Sequence, residues 1–383
     1  MDGLHSGTPK PSASDQLLQF LEAAACAGAS DILLHEGRPI HIRVNGQLQP
    51  FQSTAQPLSL IAALSLACNA PAGSADFDGA ILTTTGHRFR VNLFSSLGSQ
   101  CAALRLIRHQ IPEIESLGLP THALKTWAAS RSGLILVCGP SGSGKSTTLA
   151  SLLAWMNSHM VRHVITIEDP VEFLFTDHLC LFSQREIGTD TPDFATGIRS
   201  ALRQSPDVIL VGEIRDRDTA EAALRAAETG HLILSTLHAP NVAASLDRLE
   251  LLFPANERDS VRKNLSSKLL GILCQRLLPS LHGPLVPACE FCQNSGAVPN
   301  WIATGKHAEL ASHIEKSDGL EALHFNTSLA HLIQNRIVPM QAALAATSSP
   351  NDLQRTLRGV TSFHNTSLHA KPHPLTPPHT HHA

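Results

Sequence analysis

The sequence contains no tyrosine, and aromatic residues make up only 4% of its 383 positions. It also lacks a basic excess, since 29 Lys+Arg face 32 Asp+Glu for a formal net charge of −3. Nucleic acids are gripped by basic grooves with stacking aromatics, and anionic membranes by basic clusters, so neither class of partner is expected. Its longest apolar stretches, such as residues 58–68, fall well short of the ~18 residues that span a bilayer. Eight scattered cysteines with one close pair, Cys289 and Cys292, argue against a disulfide framework. The opening MDGLHSGTPKPSASD is polar and lacks the apolar core of a secretion signal. It predicts a disordered leader over 1–14 in a cytoplasmic protein with reduced thiols.

What is present points to packed domains. Hydrophobic residues at 43% exclude wholesale disorder, and the length suggests two or three domains. A helical pattern, LLQFLEAAACAGA, begins at Asp15 and is followed by alternating runs (DILLHEG, PIHIRVNG, QLQPF) broken by Gly37, Pro39 and Gly46. A second helical stretch over about 57–70 and two more alternating runs complete a small α+β domain over 15–110 with an antiparallel sheet. Residues 111–121 (IPEIESLGLPT) read as a linker. From residue 134 the texture changes to continuous apolar runs, ILVCG, VITIED, DVILVGE and HLILSTLH, alternating with helices. That pattern predicts a doubly wound α/β core of parallel strands buried on both faces. Beyond about 257 the pattern reads as mostly helical, so the second domain spans 122–359. The His- and Pro-rich residues 360–383 read as a disordered tail.

The strongest chemical signal is GPSGSGKST, residues 139–147, which fits G-x4-G-K-[ST] and lies between an apolar strand and a helix. Gly139, Ser141, Gly142, Ser143 and Gly144 would turn backbone N–H groups around phosphate oxygens at the positive end of the helix. Lys145 would reach the β and γ phosphates of ATP, the Ser146 hydroxyl would ligate Mg²⁺, and Thr147 closes the motif. A second strand, DVILVGE, ends in Glu213, where a hydrolase needs a carboxylate to hold Mg²⁺ through water or polarise the attacking water. ITIEDPVEF places Glu168, Asp169 and Glu172 at another strand end; a solvated acidic turn is the alternative, against which stands that this edge is where open α/β sheets bind ligands. His231 and His238 bracket LILSTL. Lone histidines near sheets are usually structural, but two flanking a core strand beside a phosphate loop are candidates for chemistry.

These segments carry a resemblance. GPSGSGKSTT, ITIEDPVEF, the stretch QREIGTDTPDFATGIRSALRQSPDVILVGEIRDRDTAEAALRAAETGH and LSTLHAPNVAASLDRLELLFP are similar to the Walker A, Asp box, Walker B and His box of secretion and type IV pilus motor ATPases, PilT-like members above all. SDILLHEGRPIHIRVNGQLQPF and HRFRVNLFSS resemble the family's PAS-like N-domain, so the resemblance covers about 15–360. It implies a PAS-like N-domain followed by a RecA-like ATPase domain with a helical C-terminal part. It also implies a cytoplasmic homo-hexamer at the inner face of the membrane, hydrolysing ATP to drive an inner-membrane platform protein in pilus retraction, with a paralogous ATPase as a further candidate partner. By position, Glu213 matches the Walker B glutamate and Glu172 the Asp-box glutamate that helps activate water. His231 and His238 match His-box residues tied to hydrolysis and subunit coupling. Arg88, Arg90, Arg105 and Arg108 lie on the N-domain strands that face nucleotide in the family. Arg90 and Arg105 are the candidates for a γ-phosphate finger, and a solvated strand face is the alternative.

Two features depart from the family. Retraction ATPases carry an AIRNLIRE-type segment, and residues 297–304 here read AVPNWIAT. The charges are gone, and Pro299 is expected to disturb the helix start. An accessory, PilU-like motor or a nucleotide-binding scaffold is therefore a competing reading, while a RecA-like nucleic-acid motor conflicts with the charge and aromatic counts. Cys289-x-x-Cys292 lacks the second CxxC of a zinc lobe. Its sulfurs would need His282, His307 or His313, so reduced thiols are the favoured reading.

Overall fold

The computed structural model describes residues 13–44, 47–71, 76–107, 111–317 and 319–359. The chain divides into two compact units, Met1–Gln110 and Ile111–Ala383. The tail expected over 360–383, Arg108 and residues 1–12 of the expected leader lie outside the described residues. Ala13 and Ser14, assigned to that leader from sequence, instead form the first turn of helix α1 (Ala13–Cys26).

In the first unit, α1 places Leu17, Phe20, Leu21 and Ala24 on one face by their helical spacing. It is followed by β1 (Asp31–His35), β2 (His41–Val44), β3 (Gln47–Pro50), α2 (Pro57–Ala67), β4 (Asp76–Leu82), β5 (Arg88–Ser96) and β6 (Ser99–Ile107). The strands form one antiparallel sheet in the order β3-β2-β1-β6-β5-β4. Alternation decides its two faces. Ile32, Leu34, Phe89, Val91 and Leu104 are buried with the helices' apolar residues, each such side chain contributing about 1.5–3 kcal/mol. The opposite face carries charge. Arg105 is the register partner of both Asp31 and Arg90, and it lies 2.9 Å from the Asp31 carboxylate. Arg90 pairs with Asp78 at 3.5 Å, and Arg43 stands 3.8 Å from Asp31.

The second unit begins with a 3-10 turn at Ile114–Leu117 and α3 (Thr121–Ala128). The linker expected over 111–121 is thus part of the second unit. Ile114 and Leu119 are buried beside Leu124 and Trp127, so an apolar docking function has replaced a free tether. The sheet strands are β7 (Gly133–Cys138), β8 (His163–Glu168), β9 (Leu181–Glu186), β10 (Val208–Val211), β11 (Leu232–Leu237), β12 (Leu269–Leu278), β13 (Val286–Gln293) and β14 (Ala322–Leu323). Their order is β14-β13-β12-β7-β11-β10-β8-β9, parallel from β12 to β9 and antiparallel from β12 to β14. β7 is buried along its whole length: Leu134, Leu136 and Cys138 face one core, Ile135 and Val137 the other. Helices α4 (Lys145–His159), α5 (Phe194–Ala201), α6 (Arg217–Glu228), α7 (Val242–Leu251) and α8 (Arg258–Lys268) connect or cover the strands. Asp193, Asp216 and Asn241 cap α5, α6 and α7 by accepting the N–H of the third residue on.

The mostly helical region expected after 257 is corrected in its middle. LLGILCQRLL and VPACEFCQ are β12 and β13, and β12 is a full member of the central sheet. A short apolar run does not distinguish a buried strand from a buried helix, and only pairing with β7 decides. Helices α9 (Val298–Ala303), α10 (His307–Glu315), α11 (Phe325–Gln334), α12 (Met340–Ala346) and α13 (Pro350–Gly359) follow. Pro299 does not break α9. It occupies the first turn, where no intrahelical N–H is required, and Val298 and Ile302 are buried.

Candidate functional site

The C-terminal ends of β7, β8, β10 and β11 open onto a cleft of about 450 Å³. Its floor is the loop that joins β7 to α4. Gly139, at φ +145°, lies where an added Cβ would meet Gln275 O at 2.3 Å and Ser143 Oγ at 2.5 Å, so only glycine fits. Gly142 and Gly144 also hold positive φ, at 74° and 89°. Ser141, Gly142, Ser143, Gly144, Lys145, Ser146 and Thr147 all line the cleft. The Lys145 ammonium donates to Gly139 O at 3.0 Å and Pro140 O at 2.9 Å, and burial holds its pKa below the usual lysine value. The site therefore places a cation and a helix N-terminus where a phosphate would sit.

Opposite the loop stands Glu213, just beyond β10. Its backbone approach is pinned by Gly212 N–H donating to Ile167 O at 2.8 Å and by the Thr236 hydroxyl donating to Gly212 O at 2.7 Å. One Glu213 oxygen lies 3.1 Å from His238 Nε2, and the other is in contact with the Arg215 guanidinium, which also reaches within 3.9 Å of Asp169. An ionised carboxylate only accepts, so His238 carries its proton on Nε2. Burial first, then the charges of Lys145, Arg248 and Arg215, hold the His238 pKa below the ordinary imidazole value, so the ring is neutral at pH 7.

Glu168, Asp169 and Glu172 all line the same cleft, Glu168 half-buried and Asp169 and Glu172 exposed. Burial pushes Glu168 up to about 7, its Oε2 accepts the Glu172 N–H at 3.5 Å, and its Oε1 is buried without a hydrogen-bond partner. The Ser146 hydroxyl and the carboxylates line the cleft beside the phosphate loop and are hard oxygen donors, the kind of ligand that Mg²⁺ takes.

His231 is not brought here. It sits before β11, at the end of that strand away from His238, with Nδ1 3.1 Å from Ala226 O and 3.2 Å from Thr229 Oγ1. Seven residues of extended chain put about 20 Å between the two histidines. Arg90 and Arg105 lie in the first unit, on the exposed sheet face described above. Sequence reasoning passed over Arg215 and Gln275. Arg215 stands two residues after Glu213 in VGEIRD, a usable local signal, whereas nothing near Gln275 in LLGILCQRLL points to the phosphate loop. Cys289 and Cys292 point into opposite faces of the sheet, one in each core, as an i, i+3 spacing on a strand requires. His307 is engaged with Asp247 and Glu250, and His313 packs against Trp301 with the rings tilted by 51°. No group of three or more metal-ligating side chains exists among the described residues.

A parallel sheet with a phosphate loop, a strand-end glutamate and its histidine partner defines a RecA-like P-loop ATPase. The chain belongs to the type II/IV secretion system protein family, whose model matches residues 12–364. It is 42% identical over 261 residues to the uncharacterized protein YggR of Escherichia coli K12, covering 68% of this chain and 79% of that one. It is 35% identical over 342 residues to the type IV pilus retraction ATPase PilT of Pseudomonas aeruginosa, covering 88% and 99%. The crystal structure of the pilus retraction motor PilT with bound ADP superposes with a TM-score of 0.80 at 38% identity, covering 88% of this chain and 98% of that one.

Proposed function

We propose that this ATPase is a ring-forming motor that powers type IV pilus retraction, and with it twitching motility, from the cytoplasmic face of the inner membrane. The observation that carries the reading is the Glu213–His238 pair facing Lys145 and Ser146 across one cleft, in a chain alignable to 99% of the length of a retraction ATPase. Glu213 takes the proton of the attacking water, and His238 with Arg215 holds its carboxylate in place. Lys145 exchanges the loop carbonyls for the β and γ phosphates. Mg²⁺ held by Ser146 would neutralise the charge that develops on the phosphates. Glu172 and Glu168 supply further acceptors at the rim.

Arg90 and Arg105 serve a neighbouring site by leaving Asp78 and Asp31 for a γ-phosphate, and His231 acts at a boundary between subunits rather than in its own cleft. The working assembly is a homo-hexamer that reaches the membrane through a platform protein. No helix of the described residues is long and apolar enough to cross a membrane. A PilU-like accessory role is the second reading, and the uncharged 297–304 segment favours it.

Deletion of the gene, complemented by wild type or Lys145→Ala, separates these readings. A retraction motor gives hyperpiliated, non-twitching cells on deletion, restored by wild type and not by Lys145→Ala. Rescue by Lys145→Ala would instead indicate a scaffold, and bald cells an assembly motor. Light scattering on the purified protein reads the ring size, and Arg90→Ala and Arg105→Ala should lower turnover only in the assembled ring.

A further inference from the structure

We infer that Gln275, which lies outside the phosphate-binding motif, is a positioning residue that sets the shape of the phosphate loop and so its affinity for nucleotide. This rests on the nucleotide reading of the cleft. Gln275 sits on β12 and is 2% exposed. β12 runs parallel to β7 with Cys274 opposite Cys138, so Gln275 follows the strand position next to the point where the loop departs.

Its amide makes two hydrogen bonds, both to the loop and its helix. Nε2–H donates to Ser143 O at 2.7 Å, and Oε1 accepts from the Thr148 hydroxyl at 2.9 Å. The same hydroxyl lies 3.1 Å from Gly144 O. One side chain thereby ties the last residue before the Gly144-Lys145 turn to the first turn of α4.

The direction of the first bond matters. In a planar trans peptide the carbonyl and the following N–H point opposite ways. Drawing the Ser143 carbonyl inward to Gln275 aims the Gly144 N–H outward, at the cleft where phosphate oxygens would lie. Without the amide, Ser143 O is a buried acceptor with no donor, which costs free energy unless the peptide rotates. A rotated peptide presents a carbonyl to the phosphate in place of an N–H. The backbone of Gln275 reinforces the contact, since its carbonyl fills the space that a side chain at Gly139 would need. Sheet pairing of β12 with β7 and β13 is made by backbone, so it does not depend on this amide.

Two variants of the full-length chain test the assignment. Gln275→Met keeps the volume and removes the amide. Calorimetric titration with MgADP should show binding weakened about tenfold, the fold-change of one charge-assisted or buried hydrogen bond. The KM for ATP should rise in step while kcat stays within about twofold, because the change falls on binding. Gln275→Glu keeps the acceptor toward Thr148 and turns the donor into an anion. It should bind MgADP poorly at about pH 8 and recover toward wild type at about pH 6, where the carboxylic acid can donate to Ser143 O and burial favours that form.

Unchanged affinity and KM in Gln275→Met, or a fall in kcat at constant KM, would overturn the assignment. So would a Gln275→Glu protein whose deficit relative to wild type does not move with pH, and this arm stands even where Gln275→Met fails to fold. Wild type that binds no MgADP would sink the nucleotide reading itself, a separate and distinguishable failure.

Discussion

Glu213 Oε2 and His238 Nε2 stand 3.1 Å apart at the ends of two adjacent parallel strands, β10 and β11. The strand pairing sets this relationship, because it puts residues from distant parts of the chain at one sheet edge. Glu213→Gln keeps the shape and removes the base, so ATP turnover should drop about 10²–10⁴-fold while nucleotide affinity stays within a few-fold. His238→Ala should fall less, since it orients the carboxylate. With His238 held below its ordinary value, titration of this ring should affect turnover only below about pH 6.5. Steady-state rates across pH on both variants check this, and a Glu213→Gln enzyme with wild-type turnover would exclude the assignment.

His307 makes a different kind of pair. Nδ1 lies 2.6 Å from Asp247 and Nε2 3.0 Å from Glu250, both on α7, while Arg262 of α8 holds the other Glu250 oxygen at 3.0 Å and also contacts Asp259. A ring between two carboxylates is favoured as imidazolium, so the close Glu250 carboxylate, ahead of the hydrogen bond with Asp247, raises its pKa above the usual value. The stabilisation is complete below the unfolded histidine value of about 6.5 and is lost as pH rises through the raised folded value. Thermal melts of wild type and His307→Gln from mildly acidic to alkaline pH should converge at the alkaline end. Parallel curves would show that the ring does not titrate in the folded protein.

The CxxC pair should be inert. Burial pushes both the Cys289 and Cys292 thiols up to about 12, and the two lie in opposite cores. Metal analysis should find no stoichiometric zinc on the purified protein, and chelators should leave its melting temperature unchanged. A thiol reagent should leave both unmodified until the protein unfolds. Cys292→Ser should cost about 1–3 kcal/mol, the price of a buried hydroxyl without a full set of partners. Rapid labelling of either thiol under native conditions would contradict the burial described.

The phosphate loop, the acid at the end of DVILVG and the acidic cluster of ITIEDPVEF were legible in sequence because each is a local device. A strand, a glycine-rich turn and a helix start within one short segment specify where phosphate and carboxylate will sit. The same was true of the alternating charged and apolar positions on β5 and β6, whose period of two separates Phe89 and Val91 from Arg88 and Arg90. Two readings that needed correction depended on partners elsewhere in the fold. The apolar run LLGILCQRLL is equally compatible with helix and strand until β7 pairs with it, and residues 111–121 look like a tether until Ile114 and Leu119 find their core.

By itself, then, the sequence determined the class of chemistry: a phosphate-binding loop on a parallel α/β core, with a glutamate at a neighbouring strand end. The tertiary structure decided which of two matching histidines faces that chemistry, putting His238 against Glu213 and His231 at the opposite end of β11. It also showed that two cysteines close in sequence point into opposite cores, and that Gln275 hydrogen-bonds to Ser143 of the loop across a separation of 132 residues. The physical reason is common to all three. Side-chain direction on a strand alternates with every residue, and strand order is set by non-local pairing. Nearness in sequence therefore specifies the turns, whereas nearness in space awaits the sheet.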